Sequence, residues 1–212
     1  MARLLLGVTG SVAAMRTPAL VEALRAGGRH QIRVVATEPS LHFFDPADLG
    51  PREPDGGPLY RDADEWPPDR WRRDDPVLHI AFRDWADALI LAPLAANPLG
   101  KIALGLCDNF LTCLARAWDF SKPVIFAPAM NTRMWDSPVT RRHLRLLLDD
   151  HGDGRQDDSW TLDDAAAVFA RHAPGLVMVP PVEKRLACGD LGVGAMAEVA
   201  EIAGAVRDCL GP

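Results

Sequence analysis

The sequence predicts a doubly wound, three-layer α/β fold in a single domain, and three observations lead there. Short runs of apolar and β-branched residues recur along the chain. Helical patterns separate them. The runs are apolar throughout rather than alternating, as strands are when helices cover both faces of a parallel sheet.

The elements follow in order. Arg3 to Val8 is the first strand, stopped by Thr9-Gly10-Ser11. A helix then carries Val12, Leu20, Val21 and Leu24 and ends near Gly27-Gly28. Ile32 to Ala36 is the second strand, which makes the opening a βαβ unit and the sheet parallel. Leu89 to Ala92, Val124 to Ala127 and Leu176 to Val179 supply further strands. Helical patterns run near Leu99 to Leu106, Asn109 to Trp118, Thr140 to Leu148, Leu162 to Ala170 and Met196 to Cys209. This alternation gives a Rossmann-like, flavodoxin-like sandwich. Two stretches break it. Asp45 to Pro76, rich in Pro, Asp and Arg with Trp66 and Trp71 embedded, reads as a long irregular connection of the kind that is usually functional. Asp149 to Ser159 reads as a flexible excursion.

Composition narrows the function. The 212 residues are 48% hydrophobic and 25% charged, the mix of a soluble domain with a real core. No apolar run reaches the roughly 20 residues of a membrane helix. Leu4 to Leu6 stop at Gly7, short of a signal core, which places the protein in the cytoplasm. The net charge is −6 and the Arg residues are interspersed with Asp and Glu, so no basic patch points to nucleic acid. Cys107, Cys113, Cys188 and Cys209 lack CxxC spacing and read as reduced and mostly buried, Cys188 excepted.

Five segments can carry chemistry. Gly7 to Ala14 joins the first strand to the first helix, where free N–H groups, small residues and the hydroxyls of Thr9 and Ser11 suit a phosphate. It is neither GxGxxG nor a P-loop, which favours a mononucleotide over a dinucleotide or ATP. His79 stands among apolar residues just ahead of a helix and is either a general base or a satisfied core histidine. Ala92 to Pro98 and Ala127 to Trp135 each follow a strand and pair a Pro with an Asn, at the carboxyl edge where parallel sheets bind ligands. The alternative is a pair of ordinary strand-to-helix turns. Leu186 to Met196 places Cys188 before a run of glycines, a mobile loop with a thiol.

Taken together and in chain order, these segments resemble the homo-oligomeric flavin-containing cysteine decarboxylases. The likeness runs from Leu4 to about Ala200 and is strongest at Asp75 to Ile80, Gly105 to Asn109, Leu111 to Cys113, Arg116 to Asp119, Met130 to Trp135 and Lys184 to Met196. The resemblance implies FMN as cofactor, held by Gly10, Ser11, Val12, Ala13 and Thr37 and lined by Ala95, Ala96, Asn97, Pro98 and Ala129. It implies His79 as the catalytic base, Asn131 as the ligand of the substrate carboxylate, Met134 as a pocket wall and Cys188 as the proton donor of a final reductive step. It implies no metal, and a homotrimer or higher assembly with FMN near subunit interfaces.

The reaction so implied is oxidative decarboxylation of an N-acylated cysteine with a free carboxylate. Oxidation of the side chain to a thioaldehyde creates an electron sink β to the carboxylate, and loss of CO2 leaves an enethiolate. The substrate is either the small acylated cysteine of coenzyme A synthesis, whose enethiol is then reduced, or a peptide ending in cysteine, where the reaction stops at the enethiol. A regulatory flavoprotein without activity and a flavin prenylating enzyme are the remaining family alternatives; the complete set of matching catalytic residues and the Cys188 loop argue against them. Two positions depart from the family pattern: Ala95 replaces a Ser or Asp, and Pro98 replaces a Thr. The stretch from about Asp149 to Pro174 is also longer and is expected to be an inserted flexible segment.

Overall fold

A computed structural model describes residues 1–26, 30–50, 59–69, 72–156, 159–185 and 191–211. Trp71 and Cys188 lie outside the described residues.

The chain opens with β1 (Arg3–Val8), a 3₁₀ turn over Val12–Arg16 that runs straight into α1 (Thr17–Ala26), and β2 (Gln31–Ala36). Short 3₁₀ turns lead to β3 (Leu59–Tyr60), α2 (Asp62–Glu65) and α3 (Leu78–Trp85). Then come β4 (Ala88–Leu94), α4 (Ala96–Ala103), α5 (Phe110–Arg116), β5 (Val124–Pro128), α6 (Thr132–Trp135) and α7 (Pro138–His151). α8 (Ala165–His172), β6 (Leu176–Met178), the hairpin β7 (Val182–Arg185) and β8 (Leu191–Ala195), and α9 (Val199–Leu210) complete it.

The central sheet has six strands in the order β3-β2-β1-β4-β5-β6, all parallel. β1 pairs with β2 on one side and β4 on the other, so the chain reverses direction across the sheet there. A ligand crevice forms at such a switch point because the connections leave in opposite directions. β1, β4 and β5 are buried almost throughout, which is why they read as unbroken apolar runs.

Alternate residues of the strands feed two cores. Leu5, Leu89, Leu91 and Phe126 join Phe82 of α3, Phe110 of α5, Leu144 of α7 and Phe169 of α8. Leu4, Leu6, Ile90 and Ile125 join Leu20 and Leu24 of α1 and Ile202 and Val206 of α9. The two helix layers therefore lie on opposite faces of the sheet.

Three expectations need correction. The stretch from Asp45 to Pro76 is not simply irregular, because Leu59–Tyr60 adds an edge strand beside β2 and Asp62–Glu65 forms a helical turn. The segment after Asp149 is not free: α7 continues to His151, α8 packs Phe169 into the core, and Gln156 and Trp160 are buried. Burying an indole gives this segment a hydrophobic anchor. Finally, the cysteines are not mostly buried; Cys107 is exposed, and Cys113 and Cys209 are half-buried.

Candidate active site

The residues expected to hold a cofactor follow the carboxyl ends of neighbouring strands: Gly10 to Ala13 after β1, Thr37 after β2, Ala95 to Pro98 after β4, and Ala129 and Asn131 at the end of β5. The sheet alone thus brings four separate sequence segments to one edge.

After β1 the chain is pinned from below. Thr9 is fully buried, its hydroxyl donates to the carbonyl of Pro93 at 2.7 Å and accepts from the N–H of Ala95 at 2.8 Å. This corrects the expectation that Thr9 offers its hydroxyl to a ligand, since two backbone groups already use it. The same bond supplies the entry of α4, where Ala95 is an N-cap without a capping side chain. Pro98 is buried in the first turn of α4, where a missing N–H is tolerated. Asn97 is exposed and Ala96 half-buried on that turn.

Ser11 is the N-cap of the 3₁₀ turn, in an extended conformation, with Oγ accepting a long 3.4 Å bond from the Ala13 N–H. Its hydroxyl proton points elsewhere. Gly10 is required by space: a Cβ there would stand 2.6 Å from Cβ of Pro39. Thr37 ties β2 to β1 through its N–H to the Val8 carbonyl at 3.0 Å, and Ser40 Oγ donates to the Thr37 carbonyl at 2.6 Å. Both are buried polar groups with satisfied bonds.

A cavity of about 330 Å³ opens between the 3₁₀ turn, the end of β5 and the β7–β8 hairpin. Ser11, Val12, Ala13, Ala129 and Asn131 line it; of the other residues expected to hold the cofactor, Gly10, Thr37 and Ala95 to Pro98 follow strand ends of the same edge without lining it. Asn131 is the N-cap of α6 and its Oδ1 accepts from the Arg133 N–H at 2.9 Å, which fixes the carboxamide. Met134 is exposed rather than on the cavity wall. Arg16, Lys184 and Arg185 also line the cavity; Lys184 opens one of the segments that carry the resemblance, but none of the three is an expected site residue, because basic side chains without a motif carry no spacing signal. Glu198 bridges two of them, accepting from Arg16 at 2.6 Å and from Lys184. These two partners, Arg16 foremost, hold its carboxyl down to about 2.

His79 is elsewhere. It occupies the first turn of α3, the helix that packs into the core opposite α1, and it does not line the cavity. Its Nδ1 stands 2.6 Å from Oε1 of Glu65, and its backbone N–H donates to Oε2 of the same carboxylate at 3.0 Å. Glu65 sits inside the stretch read as irregular and was missed; the acidic pair Asp62 and Glu65, spaced to cap two helices at once, was the available signal. Asp62 Oδ1 accepts from the Phe110 N–H at 2.8 Å and so caps α5 as Glu65 caps α3. Cys188, the expected proton donor, lies between β7 and β8 outside the described residues.

The comparisons agree with this geometry. The family model described as Flavoprotein matches residues 1–153. The phosphopantothenoylcysteine decarboxylase of Mus musculus is 46% identical over 209 residues, which cover 98% of this chain and 87% of that protein. A solved PPC decarboxylase mutant complexed with pantothenoylaminoethenethiol superposes with a TM-score of 0.76 at 45% identity, covering 97% of this chain and 96% of that one. The FMN binding protein AtHal3 gives a TM-score of 0.74 at 46% identity, covering 97% and 95%. The chain therefore belongs to the flavoprotein family, among the relatives of phosphopantothenoylcysteine decarboxylase.

Proposed function

We propose that this protein is an FMN-dependent phosphopantothenoylcysteine decarboxylase of coenzyme A synthesis. The observation that carries the reading is likeness at 46% identity across nearly the whole chain to a protein of that name, with FMN named for a relative equally similar. The cradle fits a flavin mononucleotide. Its entrance is the start of a 3₁₀ turn capped by Ser11, and Ser11, Ala13 and Ala129 are small residues on its wall. Gly10, Ser11, Val12, Ala13 and Thr37 would hold the cofactor, and Ala95, Ala96, Asn97, Pro98 and Ala129 would line it. When bound, FMN supplies a two-electron acceptor, chemistry that no side chain here provides.

The protein's residues orient the substrate and move protons. Asn131 donates from Nδ2 to the carboxylate and holds it against Ala129, Met196 and the other apolar walls. His79 takes the thiol proton, and Cys188 returns a proton in the last step. Met134 bounds the substrate pocket in the assembly.

His79 does not line the cavity of its own subunit, which supports a site completed by another copy of the chain, in a homotrimer or higher assembly. The exposed Val77 beside His79, and Leu104, Leu106 and Met134, give apolar surface for such contacts. No helix among the described residues is long and apolar enough to cross a membrane, in keeping with action in the cytoplasm.

The test is mass spectrometry on the yellow protein incubated anaerobically with phosphopantothenoylcysteine. A product lighter by one CO2 is expected. One lighter by CO2 and two hydrogens means that the reductive half fails. No turnover with FMN bound overturns the substrate assignment and leaves a peptide ending in cysteine.

A further inference from the structure

The side chain of Glu65 is only 4% exposed, yet the partner of its carboxylate is not a lysine or arginine but a histidine ring. A buried carboxylate is costly unless donors meet it. Two donors come from one residue here: the N–H of His79 on Oε2 and, at 2.6 Å, Nδ1 of the same ring on Oε1. A helix cap alone needs only the first. The second has a chemical consequence, because a carboxylate oxygen accepts and cannot donate, so the proton of a neutral ring sits on Nδ1. Nε2 is then the basic atom. The ring is 24% exposed, with Glu65 against its Nδ1.

The surroundings are consistent. Cys113 on α5 is pushed up to about 11, by burial first and then by Cys107 and Glu65, so it stays a thiol and adds no charge. α2, which carries Glu65, is itself locked by Asp62 to the start of α5. The carboxylate is thereby fixed between two helices rather than borne on a free loop.

We infer that Glu65 is the positioning residue of the reaction: it holds the His79 ring with its proton on Nδ1, so that Nε2 faces the substrate thiol as the base. A proton arriving at Nε2 leaves an imidazolium whose charge the buried Glu65 carboxylate balances. The inference rests on the reading of His79 as the base.

The experiment uses the FMN-loaded protein with its histidines labelled with ¹⁵N. The neutral His79 ring in the parent should show the Nδ1–H tautomer, and Glu65→Gln should lose that preference. A parent ring protonated on Nε2, or an unchanged tautomer in Glu65→Gln, overturns the inference and leaves the base assignment intact. In kinetics, Glu65→Gln should lower kcat by about 10²-fold with KM little changed, the size of a general-base contribution. Glu65→Asp, which keeps the charge, should recover part of it, and it carries the test if Glu65→Gln fails to fold. A Glu65→Asp protein no better than Glu65→Gln argues for a helix cap alone. His79→Asn distinguishes the two readings: it should abolish CO2 release with FMN retained, and unchanged turnover overturns the base assignment and this inference with it.

Discussion

Gly194 lies against Met130 so closely that a Cβ at Gly194 would stand 2.3 Å from the Met130 carbonyl oxygen. The Met130 N–H donates to the Gly194 carbonyl at 2.9 Å, so the hairpin continues the line of β5 just before Asn131. Gly194 has φ of +145°, where side chains are strained even without the clash. Gly194→Ala should destabilise the protein by about 1–3 kcal/mol. It should also displace the hairpin from the cavity. Thermal denaturation with FMN present, together with flavin absorbance after gel filtration, checks both; an unchanged Tm and full flavin content contradict the packing described.

Thr9 tests the base of the cradle. Its buried hydroxyl serves Pro93 and Ala95 together. Thr9→Val keeps the shape and strands the Ala95 N–H, while the Pro93 carbonyl keeps the Thr9 backbone N–H at 3.2 Å, at a cost of about 1–3 kcal/mol. Thr9→Ser keeps the hydroxyl and should lose much less. Equal losses in the two variants, read by urea unfolding, would mean that the methyl rather than the hydroxyl matters.

What was legible in the sequence follows from what each element depends on. β1, β2, β4, β5 and β6 are buried by helices on both sides, so their own residues announce them. β3 is only Leu59–Tyr60 and exists because the edge of β2 offers bonds. The polar turn Asp62–Glu65 has no apolar stripe; it is held by caps on α3 and α5, contacts invisible until the chain is folded. Glycines in Leu186 to Met196 suggested mobility, whereas Leu191–Ala195 within that stretch pairs with Val182–Arg185 as an antiparallel strand. The cradle was readable because its residues sit at strand ends. The separation of His79 from the cavity was not, because sequence order says nothing about which face of the sheet a helix covers.

Glu198 ties the hairpin to the cradle through Lys184 and Arg16. Its carboxyl is lowered from 4.5 to about 2, so the tie is fully present above the ordinary value and is lost as pH falls through about 2. No pH dependence between 5 and 9 should therefore trace to Glu198. Glu198→Gln should loosen the hairpin by the same amount across pH 5 to 9. The groups are exposed and the gain modest, so tryptic cleavage after Lys184 and Arg185 should rise only a few-fold. An unchanged cleavage rate at pH 8 would show that the backbone pairing of β7 with β8 is sufficient by itself.

Ala95 gives the clearest chance to improve the protein. It occupies the N-cap of α4 with no side chain to cap the helix, and only the Thr9 hydroxyl meets its own N–H. Pro98 at the third position of the helix has no N–H, so the Asn97 N–H is the group a Ser side chain would meet, and Ser prefers this position where Ala does not. Ala95→Ser should stabilise by about 1 kcal/mol. For a domain of this size that is a rise in Tm of about 2–4 °C. If Ala95 also borders the flavin, the new hydroxyl gives the cofactor a donor, and FMN should dissociate more slowly as well. Differential scanning fluorimetry of the apo and FMN-loaded forms separates the two effects. A rise in both forms is the helix cap, and a larger rise in the loaded form is the added flavin contact. A fall in either form would mean that Oγ cannot reach the first turn past Thr9.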